Sequence, residues 1–108
     1  MNFNEYQELS CRTAPKEEYW RYEFANYGLG IAGEAGEVAD LIKKALYHGH
    51  DIPVKDLKKE LGDVLWYLTQ IARVNNLSLE DIAIENIEKL KKRYPDGFSQ
   101  EASINRED

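Results

Sequence analysis

Cysteine is almost absent from this sequence, and so are several other features that would indicate disulfide-rich or membrane-spanning proteins. The 108 residues include one cysteine, Cys11, and three prolines. A single cysteine excludes an intramolecular disulfide and a cysteine-based zinc cluster, and it is compatible with a reducing compartment. Because Cys11 lies among polar neighbours, we expect it to be an inert thiol.

Long apolar runs are missing as well. The longest uncharged stretch extends from Phe24 to Gly33, which is far shorter than the roughly 18 apolar residues that a membrane span requires. The first residues carry no basic segment of the kind that opens a signal peptide. These absences predict a cytoplasmic protein with no membrane partner.

Positive charge is also in short supply. Fourteen basic residues against 20 acidic ones give a net charge of -6. The basic residues form no continuous stripe, so we expect no duplex nucleic acid as a partner. A small anion held through a metal ion is still compatible with this balance.

The alternating pattern typical of strands is absent, and apolar residues recur at helical spacing instead. The sequence therefore predicts an all-α fold. We expect helices from about Phe3 to before Pro15, from about Glu18 to Tyr47, from about Val54 to Asn75, and from Leu79 to Tyr94. Residues 1–97 are predicted to form one domain, and residues 98–108 a polar, mobile C-terminal tail.

Local signals mark the ends of the later helices. Asn75 and Asn76 are typical of a helix C-terminus, and Ser78 followed by Asp81 indicates the start of the fourth helix. The turn that begins at Pro95 is expected to end that helix.

The second and third helices share a hidden repeat. A shift of 26 residues places Glu34-Ala-Gly-Glu37-Val38 over Glu60-Leu-Gly-Asp63-Val64. At about 100° per residue, both acidic pairs lie at the edge of an apolar arc. An antiparallel hairpin of these helices, central to a four-helix-bundle-like core, would gather all four carboxylates beside its seam. Gly36 and Gly62 indicate a close helix approach or room for a ligand.

Four gathered carboxylates raise one another's pKa unless a cation neutralises them, and oxygen ligands favour a hard ion such as Mg²⁺. The spacing alone is common in an acidic chain, since Glu85 and Glu88 also match it. These two point away from the apolar arc of their helix, and we expect them to be solvated. The paired placement of Glu34, Glu37, Glu60 and Asp63 therefore predicts a metal site.

The segments 28–44, 60–63 and 92–98 resemble those of MazG-like nucleotide pyrophosphohydrolases, in which a Glu-x-x-Glu pair precedes a Glu-x-x-Asp pair. The resemblance implies an all-α homo-oligomer, either dimer or tetramer, that uses Mg²⁺, with Mn²⁺ as a substitute. It implies hydrolysis of NTP or dNTP to the monophosphate and pyrophosphate by a metal-activated water, in nucleotide-pool housecleaning. Glu34, Glu37, Glu60 and Asp63 would bind the metal, and Glu34 or Glu37 would also accept a proton.

Candidate substrate contacts lie on the third and fourth helices. Asn86, Lys89 and Arg93 form a stripe that predicts contacts with phosphate oxygens, although surface salt bridges would also account for the two cations. Tyr67 is a candidate for stacking on the base, but aromatic residues at helical spacing are also typical of a core. Trp66 points away from the main apolar arc and predicts a second buried surface, most simply an oligomer interface.

Two alternatives stay open at this point. One is a narrower dUTP- or dCTP-specific pyrophosphatase of the same superfamily, which would share the metal site. The other is a non-catalytic helical binding module. The intact set of four carboxylates favours an enzyme over such a module, because a degenerate site is expected to have lost at least one of them.

Overall fold

The computed structural model of the protein describes residues 1–15 and 19–106. Its elements are α1 (Phe3–Ser10), a 3₁₀ turn (Cys11–Thr13), α2 (Trp20–Tyr47), α3 (Val54–Val74), α4 (Leu79–Arg93) and α5 (Gln100–Ile104). No β-strand occurs within these two described ranges. The all-α prediction is therefore confirmed, while the expected start of the second helix near Glu18 lies outside the described residues.

The predicted C-terminus of α3 and the predicted N-terminus of α4 are confirmed. Asn76 adopts a left-handed φ of 57°, and its N–H donates to Arg73 O at 3.1 Å, as is usual just past a helix C-terminus. The Ser78 Oγ accepts from the Asp81 N–H at 3.0 Å and caps the start of α4. This cap satisfies one of the amide groups that the first turn of a helix leaves without a partner.

The helix α5 is a feature that the sequence analysis did not predict. It lies in the segment expected to be a polar tail, and the Ser99 Oγ caps it by accepting from the Ala102 N–H at 3.0 Å. Ile104, its last residue, is 81% exposed. One capped turn of helix thus forms in this segment, and the domain boundary near residue 97 stays a prediction.

The contact between α2 and α3 is the most extensive one between helices of the chain. Tyr27 of α2 is fully buried there, and its ring lies 5.8 Å from that of Trp66 and 6.4 Å from that of Tyr67. The Tyr27 hydroxyl also accepts a hydrogen bond from Arg73 Nη2 at 3.3 Å. A polar tip on a buried ring therefore keeps its partner.

One glycine accounts for the closest approach of these helices. A Cβ added at Gly30 would overlap the ring of Tyr67. A Cβ added at Gly36 or Gly62 would meet no atom within 4 Å. Close helix approach, one of the two explanations given for Gly36 and Gly62, therefore occurs at Gly30 instead, and room for a ligand at Gly36 and Gly62 stays a prediction.

A buried polar network ties α1 to α3. Gln70, which has no exposed surface, donates to Ser10 Oγ at 2.9 Å and accepts from Arg73 Nε at 2.8 Å. Trp66 Nε1 donates to Ser10 O at 3.1 Å. The chain's own α1 thus covers part of the second surface expected at Trp66, which is half-buried in the single chain, and an oligomer interface there stays a prediction.

Much apolar surface stays uncovered in the described part of the chain. The buried apolar residues are Tyr27, Ala72 and Leu79. On α4, which packs mainly on α1, Ile84 and Ile87 are about half exposed. The radius of gyration is 17.1 Å, against about 13 Å for a compact chain of this length.

None of the helices in the described ranges is both long enough and apolar enough to cross a membrane.

Candidate metal centre

Three acidic side chains from two helices meet beside the α2–α3 contact. Glu34, Glu60 and Asp63 each offer a carboxylate oxygen, and these oxygens lie within 4.8 Å of one another. Glu34 comes from α2, whereas Glu60 and Asp63 come from α3. Positions three apart in a helix share a face, so one face of α3 presents two ligands together. The structure thus brings together three of the four acids that the sequence repeat singles out.

The pKa of the Glu34 carboxyl is raised above its ordinary value. The largest cause is its partial burial, followed by its hydrogen bond with Glu60 and by the negative charges of Asp63, Glu60 and Glu37. All of these influences oppose ionisation of Glu34. A bound cation would act in the opposite direction and favour the ionised carboxylate.

Glu37 lies one helical turn beyond Glu34 and is exposed. Its charge contributes to the raised pKa of Glu34, which places it near the cluster. It is not among the three acids whose oxygens approach within 4.8 Å. The assignment of Glu37 as a metal ligand stays a prediction. The assignment of Glu34 or Glu37 as the proton acceptor stays a prediction as well.

The donor set of this cluster fits a hard divalent cation. Its three candidate ligands are all carboxylates. Such cations prefer oxygen ligands, and the smaller ones often complete their coordination with water and phosphate oxygens. Glu34 and Glu60 are partly buried and Asp63 is exposed, so a cation held here would remain open to further ligands.

A cleft of about 290 Å³ opens beside the cluster, lined by Thr13, Glu34, Asp63, Trp66 and Tyr67. The rings of Trp66 and Tyr67 meet edge to face, with centroids 5.0 Å apart. Acidic groups that fit a cation and aromatic groups that suit a planar ring thus border the same cleft. Tyr67 lies where the sequence analysis expects a stacking residue, and its role in substrate binding stays a prediction.

The three candidate residues on α4 are not among those that line this cleft. Asn86 and Lys89 are exposed, and Arg93 is half-buried. The helix that carries them packs mainly on α1. Their predicted contacts with phosphate therefore stay a prediction.

Sequence reasoning missed Thr13 and Trp66 as residues of the cleft. Thr13 comes from the 3₁₀ turn, and no helical periodicity connects that turn with the acids of α2 and α3. Trp66 follows Asp63 by three positions on the same helix. Residues three apart lie on neighbouring parts of one helix face, so the spacing from Asp63 is the signal that could have identified Trp66 as a residue of the cleft.

Comparison with known proteins agrees with this arrangement. The sequence model of one protein family, the MazG nucleotide pyrophosphohydrolase domain, matches residues 23–98. This range includes all four candidate ligands. The chain belongs to the MazG nucleotide pyrophosphohydrolase domain family. It is also 37% identical over 82 residues to the "Gene 37 protein" of Mycobacterium phage L5, an alignment that covers 72% of each chain. No solved structure gives a significant match.

Proposed function

We propose that this protein acts in the cytoplasm and hydrolyses nucleoside triphosphates, NTP or dNTP, to the monophosphate and pyrophosphate with Mg²⁺, as a housecleaning enzyme of the nucleotide pool. The observation that carries the proposal is the approach of the Glu34, Glu60 and Asp63 oxygens to within 4.8 Å of one another. The adjacent cleft with Trp66 and Tyr67 supports a nucleotide as the ligand. Membership of the MazG family supports the reaction.

The acids of the cluster would divide the chemistry between them. Glu34, Glu60 and Asp63 would hold the metal, which when bound offsets phosphate charge and lowers the pKa of a water molecule. In the proposed reaction, the oxygen of a water molecule would form a bond to the α-phosphorus while the bond from the α-phosphorus to the bridging oxygen of pyrophosphate breaks. Glu37 or Glu34 accepts the proton, and Glu37 is the better candidate because it lies outside the three-acid cluster.

The proposed frame for this site is an antiparallel hairpin of α2 and α3. Its support is that contacts pair residues in reverse order along the two helices: Glu23 with Arg73, Gly30 with Tyr67, and Glu34 with Glu60. In an antiparallel pair, residues later in one helix meet residues earlier in the other. The acids of the repeat then face each other from the two helices.

We also propose that the protein is a homo-oligomer, either dimer or tetramer. The chain exposes 8651 Å², whereas a compact monomer of its mass exposes about 6,200 Å². The excess of roughly 2,500 Å² per chain is enough for an obligate interface. Apolar side chains that are exposed in the single chain, such as Leu46, Ile84 and Ile87, would supply the core of that interface.

The proposal keeps Asn86, Lys89 and Arg93 as phosphate-binding residues. Within residues 1–15 and 19–106, no lysine or arginine is among those that line the cleft. A triphosphate carries several negative charges, and charge-assisted hydrogen bonds from cationic side chains commonly hold such groups. The metal together with these α4 residues would supply positive charge that the described lining of the cleft does not provide.

A panel of NTPs and dNTPs with Mg²⁺ tests the reaction. We expect the monophosphate and pyrophosphate as first products, and we expect Glu60→Gln and Asp63→Asn to abolish turnover. Glu85→Gln is the matched control, because Glu85 is an exposed acid on α4. Orthophosphate as the first product would overturn attack at the α-phosphorus, and no turnover on any nucleotide would overturn the function. Turnover confined to dUTP or dCTP would assign the base-specific alternative.

A further inference from the structure

The N-terminal segment, defined here as residues 3–13, lies outside the family match and yet borders the candidate metal centre. The match covers residues 23–98, whereas α1 and the 3₁₀ turn precede it. Thr13 lines the cleft together with Glu34 and Asp63. Tyr6 of α1 lies close enough to Asp63 for that carboxylate to raise its pKa, after the larger effect of burial.

Hydrogen bonds fix the N-terminal segment against the rest of the chain. Ser10 is buried, and it accepts from Gln70 Nε2 at its hydroxyl and from Trp66 Nε1 at its carbonyl, at 2.9 and 3.1 Å. Gln7 donates to Leu77 O at 2.9 Å, just before α4 begins. Because side chains from α3 and backbone near α4 both hold it, the segment fixes the position of Thr13, its residue that lines the cleft.

Thr13 presents a hydroxyl at the end of this segment. Its Oγ1 donates to Ser10 O at 3.4 Å. A hydroxyl carries one proton and two lone pairs, so the Thr13 oxygen still has acceptor capacity for a ligand. The rings of Trp66 and Tyr67 can stack on a base, but stacking accepts every base because each has an aromatic face. Discrimination requires a hydrogen-bonding group. Among the described residues that line the cleft, Thr13 and Tyr67 carry neutral hydroxyls that can accept such a bond, and Thr13 is the one that comes from the N-terminal segment.

We propose that the N-terminal segment is the specificity element of the nucleotide cleft and that Thr13 is a specificity-determining contact for the nucleoside part of the ligand. The metal held by the acids would bind the phosphates, which all nucleotides share. Thr13 accepts a hydrogen bond from an N–H group of the base that stacks beside it. This inference rests on the proposed function, and the experiment separates the failure of one from the failure of the other.

The test compares Thr13→Val, which keeps the shape and removes the hydroxyl, with Cys11→Ser in the same turn. Cys11 does not line this cleft, and a serine can keep its hydrogen bond to Gln7 O. Loss of one hydrogen bond should lower kcat/KM for the preferred nucleotide by about three- to tenfold. The other nucleotides should change less, so the ratio between bases should shrink in Thr13→Val and stay constant in Cys11→Ser.

Binding without turnover supplies an independent measurement. In a Trp20→Phe background, Trp66 is the remaining tryptophan, and its fluorescence reports binding of non-hydrolysable analogues of ATP, CTP, GTP and UTP. We expect Thr13→Val to weaken binding of the preferred analogue. The Mg²⁺-induced rise in the Tm of this variant should equal that of the wild type. Unchanged base ratios in Thr13→Val would overturn the inference and leave the function standing. If the wild type binds these analogues but hydrolyses none of the corresponding natural nucleotides, the function would be overturned, and no binding at all would overturn both.

Discussion

The proposed chemistry of the acidic cluster depends on how close Glu34, Glu60 and Asp63 lie to one another. None of the three is fully buried. Water and a cation can therefore reach them. A ligand that binds only the folded state stabilises it by about 2.7 kcal/mol at one hundred times its Kd. We expect Mg²⁺ to raise the Tm of the wild type and of Glu85→Gln, and EDTA to reverse the rise. Glu60→Gln should show no rise, and an equal rise in that variant would contradict the metal centre.

Glu37 can be assigned by separating metal binding from catalysis. If it accepts the proton, Glu37→Gln should keep the Mg²⁺-induced rise in Tm and lose about 10²- to 10⁴-fold in kcat, the usual contribution of a general base. Thermal unfolding and steady-state kinetics on the same preparation measure both quantities. Loss of the Tm rise would instead make Glu37 a metal ligand.

The raised pKa of Glu34 predicts a pH-dependent cost in the metal-free protein. Its pKa is higher in the folded state because of partial burial, the hydrogen bond with Glu60 and the neighbouring negative charges. Ionisation of Glu34 therefore lowers the free energy of unfolding. This loss is absent below the ordinary pKa of a glutamate and grows as the pH rises through the pKa of Glu34 in the folded state. In EDTA, Glu34→Gln should be more stable than the wild type at pH 7, and the difference should vanish near pH 4. Urea unfolding at both pH values measures it, and a less stable variant at pH 7 would refute the prediction.

At the scale of helices, Gly30 decides how closely α2 approaches α3. A Cβ at Gly30 would overlap the Tyr67 ring, whereas a Cβ at Gly33 would meet no atom within 4 Å. Overpacking typically costs about 1–3 kcal/mol, while replacing an unconstrained helical glycine by alanine gains about 1 kcal/mol. We expect Gly30→Ala to lower the free energy of unfolding and Gly33→Ala to raise it, as measured by urea titration. A stabilising Gly30→Ala would show that Tyr67 moves at no cost.

The ends of helices were predictable from sequence because local groups determine them. Ser78 bonds to the amide three residues on, and Asn76 takes the left-handed conformation that ends α3. The acids were predictable for a related reason, since the repeat fixes their positions on two helix faces. The place of Thr13 in the cleft and the hydrogen bonds of Ser10 with α3 were not predictable, because helical periodicity carries no information across the break at Pro15.

The four candidate ligands illustrate the limit of the same reasoning. Spacing placed Glu37 and Asp63 in equivalent positions of the repeat, yet Asp63 joins the three-acid cluster and Glu37 does not. Equivalent positions on two helices become equivalent in space only if the helices cross symmetrically. The direction and offset of that crossing depend on packing at Gly30 and Tyr67, which the repeat does not encode.

At the scale of the whole molecule, the described part of the chain leaves much of its apolar surface uncovered. Side chains such as Ile84 and Ile87 are about half exposed on α4, and the radius of gyration of 17.1 Å exceeds that of a compact monomer. Exposed apolar area of this extent is typical of a surface that another subunit covers. We therefore place α4 in the interface of the proposed homo-oligomer.

Light scattering and concentration-dependent thermal unfolding test that interface. The wild type should have the mass of a dimer or tetramer at micromolar concentration, and its Tm should rise with protein concentration. Ile87→Gln removes an apolar side chain from α4 and should lower the mass or weaken association. Glu88→Gln introduces the same residue at the next position, which is also exposed, and should leave association unchanged. A monomeric wild type would refute the oligomer, and equal association in both variants would exclude Ile87 from its interface.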